Sequence, residues 1–211
     1  MTLASTALKG AFTALRSDLL DANGPSISTM RNYRFAILQY GPREEFTARA
    51  LVRDLARDLG ERGWGVLRIS LRALLMDRIR NSDARFLESA VATELRLQSR
   101  GPERALNFLR ERVGALIEGE SGIAADVVRL VDTFADRHPD AVDRTLIVIE
   151  RAGALYPFFR SSALLKHIDG KTRGVPVVLL YPGVRVDPTG SALSFMGELA
   201  ADRDYRPRIY S

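Results

Sequence analysis

The chain has 211 residues, of which 46% are hydrophobic and 27% are charged, a composition typical of a soluble globular protein and incompatible with disorder of the whole chain. It contains no cysteine, which excludes disulfides, thiolate metal sites, iron–sulfur clusters and a cysteine nucleophile. The net charge is +5 and 28 of the 31 basic residues are arginine, but most of them alternate with acids along predicted helices, so charge alone does not indicate nucleic-acid binding.

The first third of the chain predicts a strand–helix–strand unit behind an amino-terminal helix. Apolar residues recur at helical spacing near the start, and two later runs are apolar throughout, as in buried strands. The two strands are expected to run parallel, because a helix connects them. In chain order, the predicted elements are a helix at 3–22, a linker to residue 28, a strand at 34–40, an amphipathic helix at 43–61 and a strand at 64–71.

The rest of the chain predicts a helical region and then further strands. Residues 72–138 have helical periodicity with breaks at 81–83, 101–102 and 118–122. The elements predicted after it are a strand at 144–150, a helix at 157–168 with proline in its first turn, a strand at 175–181 ended by Pro182-Gly183, a short helix within 190–200 and an edge strand at 205–210.

Strands that alternate with helices indicate an α/β fold with a mostly parallel sheet of about five strands, flanked by helices. The expected topology is like that of P-loop NTPases or Rossmann folds, without a Walker A sequence. We expect one domain over 1–211, with an amino-terminal helix and linker at 1–28 and a helical insertion at 72–140 between strands two and three. Eight residues are predicted to share one core between the sheet and the helices: Leu38, Leu55, Val66, Ile69, Ile147, Val148, Val178 and Leu179.

The sequence contains no recognised catalytic or phosphate-binding motif, which favours a protein that is not an enzyme and holds no cofactor or metal. The loop after the first strand, QYGPREEF, lacks the glycines and lysine of a phosphate-binding loop. Gly170-Lys171-Thr172 precedes a strand, which is the wrong order for phosphate binding, and is interpreted as a surface turn. Glu150, at the end of a strand, is interpreted as paired with Arg151 or Arg160 rather than as a magnesium-bound catalytic acid. No apolar run is long enough to span a membrane and no signal peptide is evident, so the expected location is the cytoplasm.

Two segments have more aromatic residues than folding alone explains. The first, Gly153–Arg160, follows a buried strand and contains Tyr156, Pro157, Phe158 and Arg160. The second is Tyr181-Pro182-Gly183, which ends the neighbouring strand. Open α/β sheets place ligands at the carboxyl ends of their strands, so both segments are expected at one edge of the sheet, as an interaction surface or as loops folded onto the core.

These segments resemble the BrxB family of BREX phage-defence systems. The resemblance lies in the strand TLIVIE, then Gly153-x-x-Tyr-Pro-Phe-Phe-Arg160, then VPVVLLYPG ending at Gly183, a Phe195-x-Gly197 element and Asp204-Tyr205-Arg206. It covers roughly residues 145–208, and the first two strands with their helix also fit the family's layout.

The resemblance implies a small, non-catalytic component of an anti-phage system. Such proteins work beside a PglZ-type protein of the alkaline phosphatase superfamily, which is the first expected partner, a BrxC-type ATPase and a PglX-type methyltransferase. The residues expected to bind a partner are Tyr156, Pro157, Phe158, Arg160, Tyr181, Pro182 and Gly183. Two other functions stay open: a DNA-contacting module that uses the arginine-rich surface, and a hydrolase that uses Glu150 with a loop arginine.

Overall fold

Helices and strands alternate along the chain, as the sequence predicts. The computed structural model describes residues 3–27, 34–139, 144–158, 161–186, 192–199 and 207–211. In chain order the elements are α1 (Leu3–Leu19), β1 (Phe35–Tyr40), α2 (Glu45–Glu61), β2 (Gly65–Ser70), α3 (Leu71–Arg80), α4 (Ala84–Gln98), α5 (Pro102–Ile117), α6 (Ile123–Arg137), β3 (Thr145–Glu150), α7 (Ser161–Ile168), β4 (Val177–Arg185), β5 (Leu193–Phe195) and β6 (Arg208–Tyr210).

Five strands form a parallel sheet in the order β2-β3-β4-β1-β6, and β5 pairs antiparallel with the end of β4. This confirms the predicted α/β class and its mostly parallel sheet. β1 and β2, which were predicted to be parallel, are parallel but separated by β3 and β4. The strand predicted at 205–210 forms over Arg208–Tyr210 at the β1 edge, and residues 200–206 lie outside the described part of the chain.

The sheet separates two hydrophobic cores, so the prediction of a single shared core is wrong. Side chains of a strand alternate between faces, and both faces of this sheet are covered by helices. One core contains Ile69, Ile147 and Leu179 under α3, α6 and α7. The other contains Leu38, Leu55, Val148 and Val178 with Val66 packed against it, and α1 and α2 cover it.

The helical region between β2 and β3 has the predicted breaks and contains two kinds of helix. α3 and α6 bury one face against the sheet. α4 packs mainly against α5, and among its described side chains only that of Ala90 is fully buried. Residues 72–138 therefore cover the sheet in part and extend away from it in part, as a helical arm made of α4 and α5.

Three predictions in the last third are wrong. The helix predicted from Pro157 starts at Ser161, and residues 156–158 form a turn in which the Phe158 N–H donates to the Leu155 carbonyl at 2.7 Å. Pro182-Gly183 does not end its strand: β4 continues to Arg185, since β5 supplies hydrogen-bond partners to this stretch. Residues 193–195, within the predicted helix at 190–200, form β5 instead.

The Gly170-Lys171-Thr172 tripeptide forms a surface turn, as predicted. Gly170 has φ +70°, and the Lys171 N–H donates to the Ile168 carbonyl and so closes the end of α7. The turn leads into β4 at its amino end, which is the edge of the sheet opposite to the strand ends where ligands bind in such folds.

Candidate functional site at the carboxyl edge of the sheet

The carboxyl ends of β1, β3 and β4 meet at one edge of the sheet. β4 pairs with both of the other strands, and the chain leaves β1 and β3 toward opposite faces, because α2 contributes to one core and α7 to the other. A crevice between strands whose connections diverge in this way is where open α/β sheets bind ligands. We call this region the carboxyl edge.

The loop after β3 brings the Tyr156 segment onto this edge. Arg151 takes a left-handed conformation with φ 66°, and a short 3-10 helix follows over Ala152–Leu155. Tyr156 is half-buried, with its ring centroid 6.5 Å from that of Phe195. Pro157 and Phe158 are also half-buried, and Phe158 packs against the core. These three side chains keep part of their surface exposed at the edge, whereas Phe159 and Arg160 lie outside the described residues.

The second predicted segment lies next to the first but is buried. Tyr181, Pro182 and Gly183 belong to β4, and the Tyr181 hydroxyl donates to the Leu193 carbonyl at 3.3 Å. A β-carbon at Gly183 would lie 2.4 Å from the Ser194 carbonyl oxygen, so the close approach of β5 requires glycine. These three residues are therefore part of the buried framework of the edge and expose little side-chain surface to a partner.

Direct contacts join the two segments. A β-carbon at Gly153 would lie 3.3 Å from Met196 Sδ and 3.4 Å from Pro182 Cγ, which shows how closely the loop packs on the β4–β5 pair. Tyr181 and Phe195 pack edge to face with centroids 5.4 Å apart. The expectation that both segments lie on one edge of the sheet is confirmed.

Several charged groups of the edge are paired with one another. Glu150 is bound by Arg68, whose Nη2 lies 2.9 Å from Oε2 and 3.1 Å from Oε1. The prediction that Arg151 or Arg160 holds Glu150 is wrong in the case of Arg151, which lies 3.5 Å from Glu45. Arg68 pairs in register with Val148, so it shares a strand face with Glu150 two residues further on.

The start of α2 is filled by the chain's own carboxylates. In phosphate-binding folds, backbone N–H groups at this position face the ligand. Here Glu44 Oε2 accepts the Gly41 N–H at 3.2 Å, and Glu45 accepts the Tyr40 hydroxyl proton. Two carboxylates at this helix start would repel the phosphates of a nucleotide.

Tyr40 is the most perturbed group at the edge. Burial, followed by its hydrogen bond to Glu45, raises the pKa of Tyr40 far above its usual value near 10. Sequence reasoning missed Tyr40, Glu45 and Arg68 as a group. The available signal was Arg68, the single charge inside the apolar run WGVLRISL.

The stability of the fold should therefore fall at high pH. A raised pKa in the folded state means that the stabilisation is complete below about pH 10 and is lost as the pH rises above it. Tyr210, which donates to Asp18, has a raised pKa for the same reasons and adds to this effect. We expect Tyr40→Phe to reduce the slope of unfolding free energy against pH by an amount that grows from near zero at about pH 9 to about 1.2 kcal/mol per pH unit at about pH 11, measured by urea denaturation across that range. An unchanged slope in the variant would contradict this assignment.

Exposed apolar side chains also occur on the elements that form this edge. Phe46 is 78% exposed beside Glu45, with the Arg49 guanidinium 5.6 Å from its ring centroid. Val184 and Val186 are 49% and 60% exposed at the end of β4. None of the three was singled out from sequence. Phe46 carries a readable signal, since an aromatic residue interrupts the polar face of the 43–61 helix.

No group of three or more histidine, aspartate or glutamate residues that could hold a metal ion occurs among the described residues. The same residues include no helix long and apolar enough to cross a membrane. Within the described part of the chain, Glu44, Glu45 and Glu150 at the carboxyl edge accept hydrogen bonds, and exposed apolar side chains lie on the elements that form the same edge.

Comparison with known proteins gives one family. The model of the family described as "BREX protein BrxB" matches residues 67–209, which is more than half of the chain. The match includes the helical arm, which the sequence resemblance did not cover, and it starts within β2, so that β1 and α2 are outside it. No curated protein matches the chain, and no solved structure does.

Proposed function

The chain belongs to the BrxB family and is therefore a component of a BREX defence system, and from that premise we propose that it is an assembly subunit without catalysis of its own, which binds another BREX subunit through the carboxyl edge. The observation that carries the proposal is the combination of exposed Phe46, Val184 and Val186 with half-exposed Tyr156 at this edge. Large apolar side chains that a folded domain leaves exposed at one edge are typical of protein contact sites.

The chemistry of the edge supports a binding role over a hydrolytic one. A catalytic carboxylate has to reach substrate or water, whereas Glu150 is 8% exposed and held by Arg68 through three hydrogen bonds. A nucleotide would meet Glu44 and Glu45 where its phosphates need N–H donors. Among the described residues, Glu44, Glu45 and Glu150 at this edge all accept hydrogen bonds from the chain itself, which weighs against the hydrolase alternative.

The DNA-contacting alternative draws on the excess of arginine. Ten different arginines form ion pairs with aspartate or glutamate within the described part of the chain. Each such pair reduces the positive charge available to phosphates. Duplex binding by the isolated protein with a steep salt dependence would favour this alternative over the assembly role.

The PglZ-type protein is proposed as the partner on the strength of the family resemblance, with the BrxC-type ATPase and the PglX-type methyltransferase as the next subunits to test. The aromatic residues at the edge are of the type enriched in interface hot spots. Truncating such a residue costs about 2 kcal/mol, or about a thirtyfold loss of affinity.

We expect Phe46→Ala and Tyr156→Ala to weaken binding of the purified PglZ-type subunit by about thirtyfold each. Affinity is measured by biolayer interferometry after circular dichroism has shown that each variant is folded. The matched control is Leu130→Ala on α6, where a leucine of 36% exposure lies away from the carboxyl edge. Undiminished binding by both folded edge variants would place the contact elsewhere and overturn the proposed edge.

A further inference from the structure

The outer face of α4 carries an apolar ridge that the fold itself does not use. Leu87, Val91 and Leu95 are 42%, 52% and 60% exposed. They are spaced four residues apart, which places them in one line along the helix. The side of α4 that faces the protein is a different one, formed by buried Ala90 with half-buried Phe86 and Leu97. The ridge is thus a second apolar face on a helix whose packing against α5 is already complete without it.

Acidic side chains lie on both flanks of the ridge. At about 100° of rotation per residue, Glu94 lies to one side of the Leu87–Val91–Leu95 line and Glu88 to the other. Neither carboxylate takes part in an ion pair among the residues that the structure describes. The arginines of α4, Arg85 and Arg96, project from the side of the helix away from the ridge.

The charges decide which occupant fits this surface. An apolar line between two free carboxylates is complementary to an amphipathic helix that has lysine or arginine beside its apolar stripe. If a second copy of this chain docked with its ridge against this one, the Glu88 and Glu94 carboxylates of the two copies would face each other without a cation to pair with them. An anionic membrane surface would be repelled by the same carboxylates.

We propose that the ridge on the helical arm is a second docking surface, separate from the carboxyl edge, and that it receives a basic amphipathic helix of another BREX subunit. α4, which carries the ridge, packs mainly against α5 rather than on the strands, so the ridge is a different surface from the carboxyl edge. A subunit that binds through both would link two neighbours, and its role in assembly would be to bridge them.

The experiment measures binding of the purified PglZ-type, BrxC-type and PglX-type subunits, one at a time, at low and high salt. For one of them we expect Val91→Glu to weaken binding at least tenfold, Glu88→Lys with Glu94→Lys to do the same, and wild-type affinity to fall as salt rises. The control is Arg85→Gln with Arg96→Gln, which changes two charges on the same helix away from the ridge and should leave binding unchanged. Circular dichroism checks that every variant is folded, which the exposure of these positions favours.

A photo-crosslinking amino acid at position 91, used in the full set of BREX subunits, identifies the occupant directly. A crosslink to a helical segment with lysine or arginine next to apolar residues supports the proposal. A crosslink to a second copy of this chain, a crosslink to an acidic segment, or no subunit whose binding responds to the ridge variants would overturn it. Because the Phe46 and Tyr156 variants test the other surface, failure of the ridge and failure of the carboxyl edge give different patterns.

Discussion

Ile147→Asp is expected to abolish the folded state at ordinary temperature. Ile147 lies in β3, a central strand, with none of its surface exposed, and both its strand neighbours and α6 cover it. Aspartate there would place a charge without a partner in an apolar layer, at a cost of several kcal/mol. A domain of this size is stable by about 5–15 kcal/mol. The variant should therefore show a strongly lowered melting temperature, or no cooperative unfolding transition at all, when it is heated and followed by circular dichroism.

Val184→Asp is the matched control for this experiment. It is also a change from an apolar to an acidic residue in a strand, but Val184 is 49% exposed and lies where β4 has left the parallel sheet. We expect its melting temperature to change by a few degrees at most, since the new carboxylate can stay in water. If Ile147→Asp melted near the wild-type temperature, β3 would not be the buried centre of the sheet.

The sequence was sufficient for the strands that carry the sheet, because those segments are apolar on both faces. The segments 144–150 and 175–181 were predicted as buried strands without reference to any partner, and they correspond to β3 and to the first part of β4. The division into two cores follows from the alternation of side chains along each strand. The prediction of a single core was wrong because it did not take this alternation into account: neighbouring residues such as Ile147 and Val148 point to opposite faces of the sheet.

The parts that could not be predicted depend on contacts between distant segments. Pro182-Gly183 has the local signature of a turn, yet it continues as strand because β5 pairs with this stretch. The close approach of Ser194 explains why residue 183 is glycine. Arg68 and Glu150 are 82 residues apart, and only the register of β2 with β3 brings them together. The burial of Tyr181 also depends on a distant segment. Its aromatic ring suggests a surface role in the sequence, whereas in the structure Phe195 of β5 packs against it and it has no exposed surface.

The carboxyl edge of this sheet differs from that of nucleotide-binding sheets at the start of α2. Where a phosphate-binding loop offers backbone N–H groups, this chain places Glu44 and Glu45, and the Gly41 N–H is already taken. The chain's own carboxylates therefore occupy the position where phosphate-binding folds place a phosphate. What is left exposed at the edge is apolar, which is consistent with the proposal that a protein binds there.

Arg78 is expected to be the most important single charge in the helical region. Its guanidinium lies 2.5 Å from Asp126 on α6 and donates to three backbone carbonyls, those of Leu116, Ser121 and Gly122. One of these carbonyls belongs to the last turn of α5, where helix geometry leaves no internal partner. One side chain therefore joins α3, the end of α5, the connecting loop and the start of α6.

The loop that Arg78 holds is folded tightly against the end of α5. A β-carbon at Gly122 would lie 2.2 Å from the Ile117 carbonyl oxygen, so the chain folds back on itself there with no space to spare. Carbonyls gathered this closely need a donor that can serve several of them at once. The five N–H groups of arginine in a fixed plane meet this need, and a lysine ammonium does not.

We therefore expect Arg78→Met to cost about 3 kcal/mol in unfolding free energy, because it keeps the apolar stem but removes the donor to three carbonyls and one of the two arginines that bind Asp126. Arg78→Lys should recover less than half of that loss. The control is Arg129→Met, which removes another arginine from the same Asp126; that side chain is 72% exposed, so the change should cost well under about 1 kcal/mol. Urea denaturation of the three variants measures the differences. Equal losses for Arg78→Met and Arg129→Met would mean that only the charge of Asp126 matters, whereas the expected order would show that the carbonyl contacts hold the helical arm to the sheet.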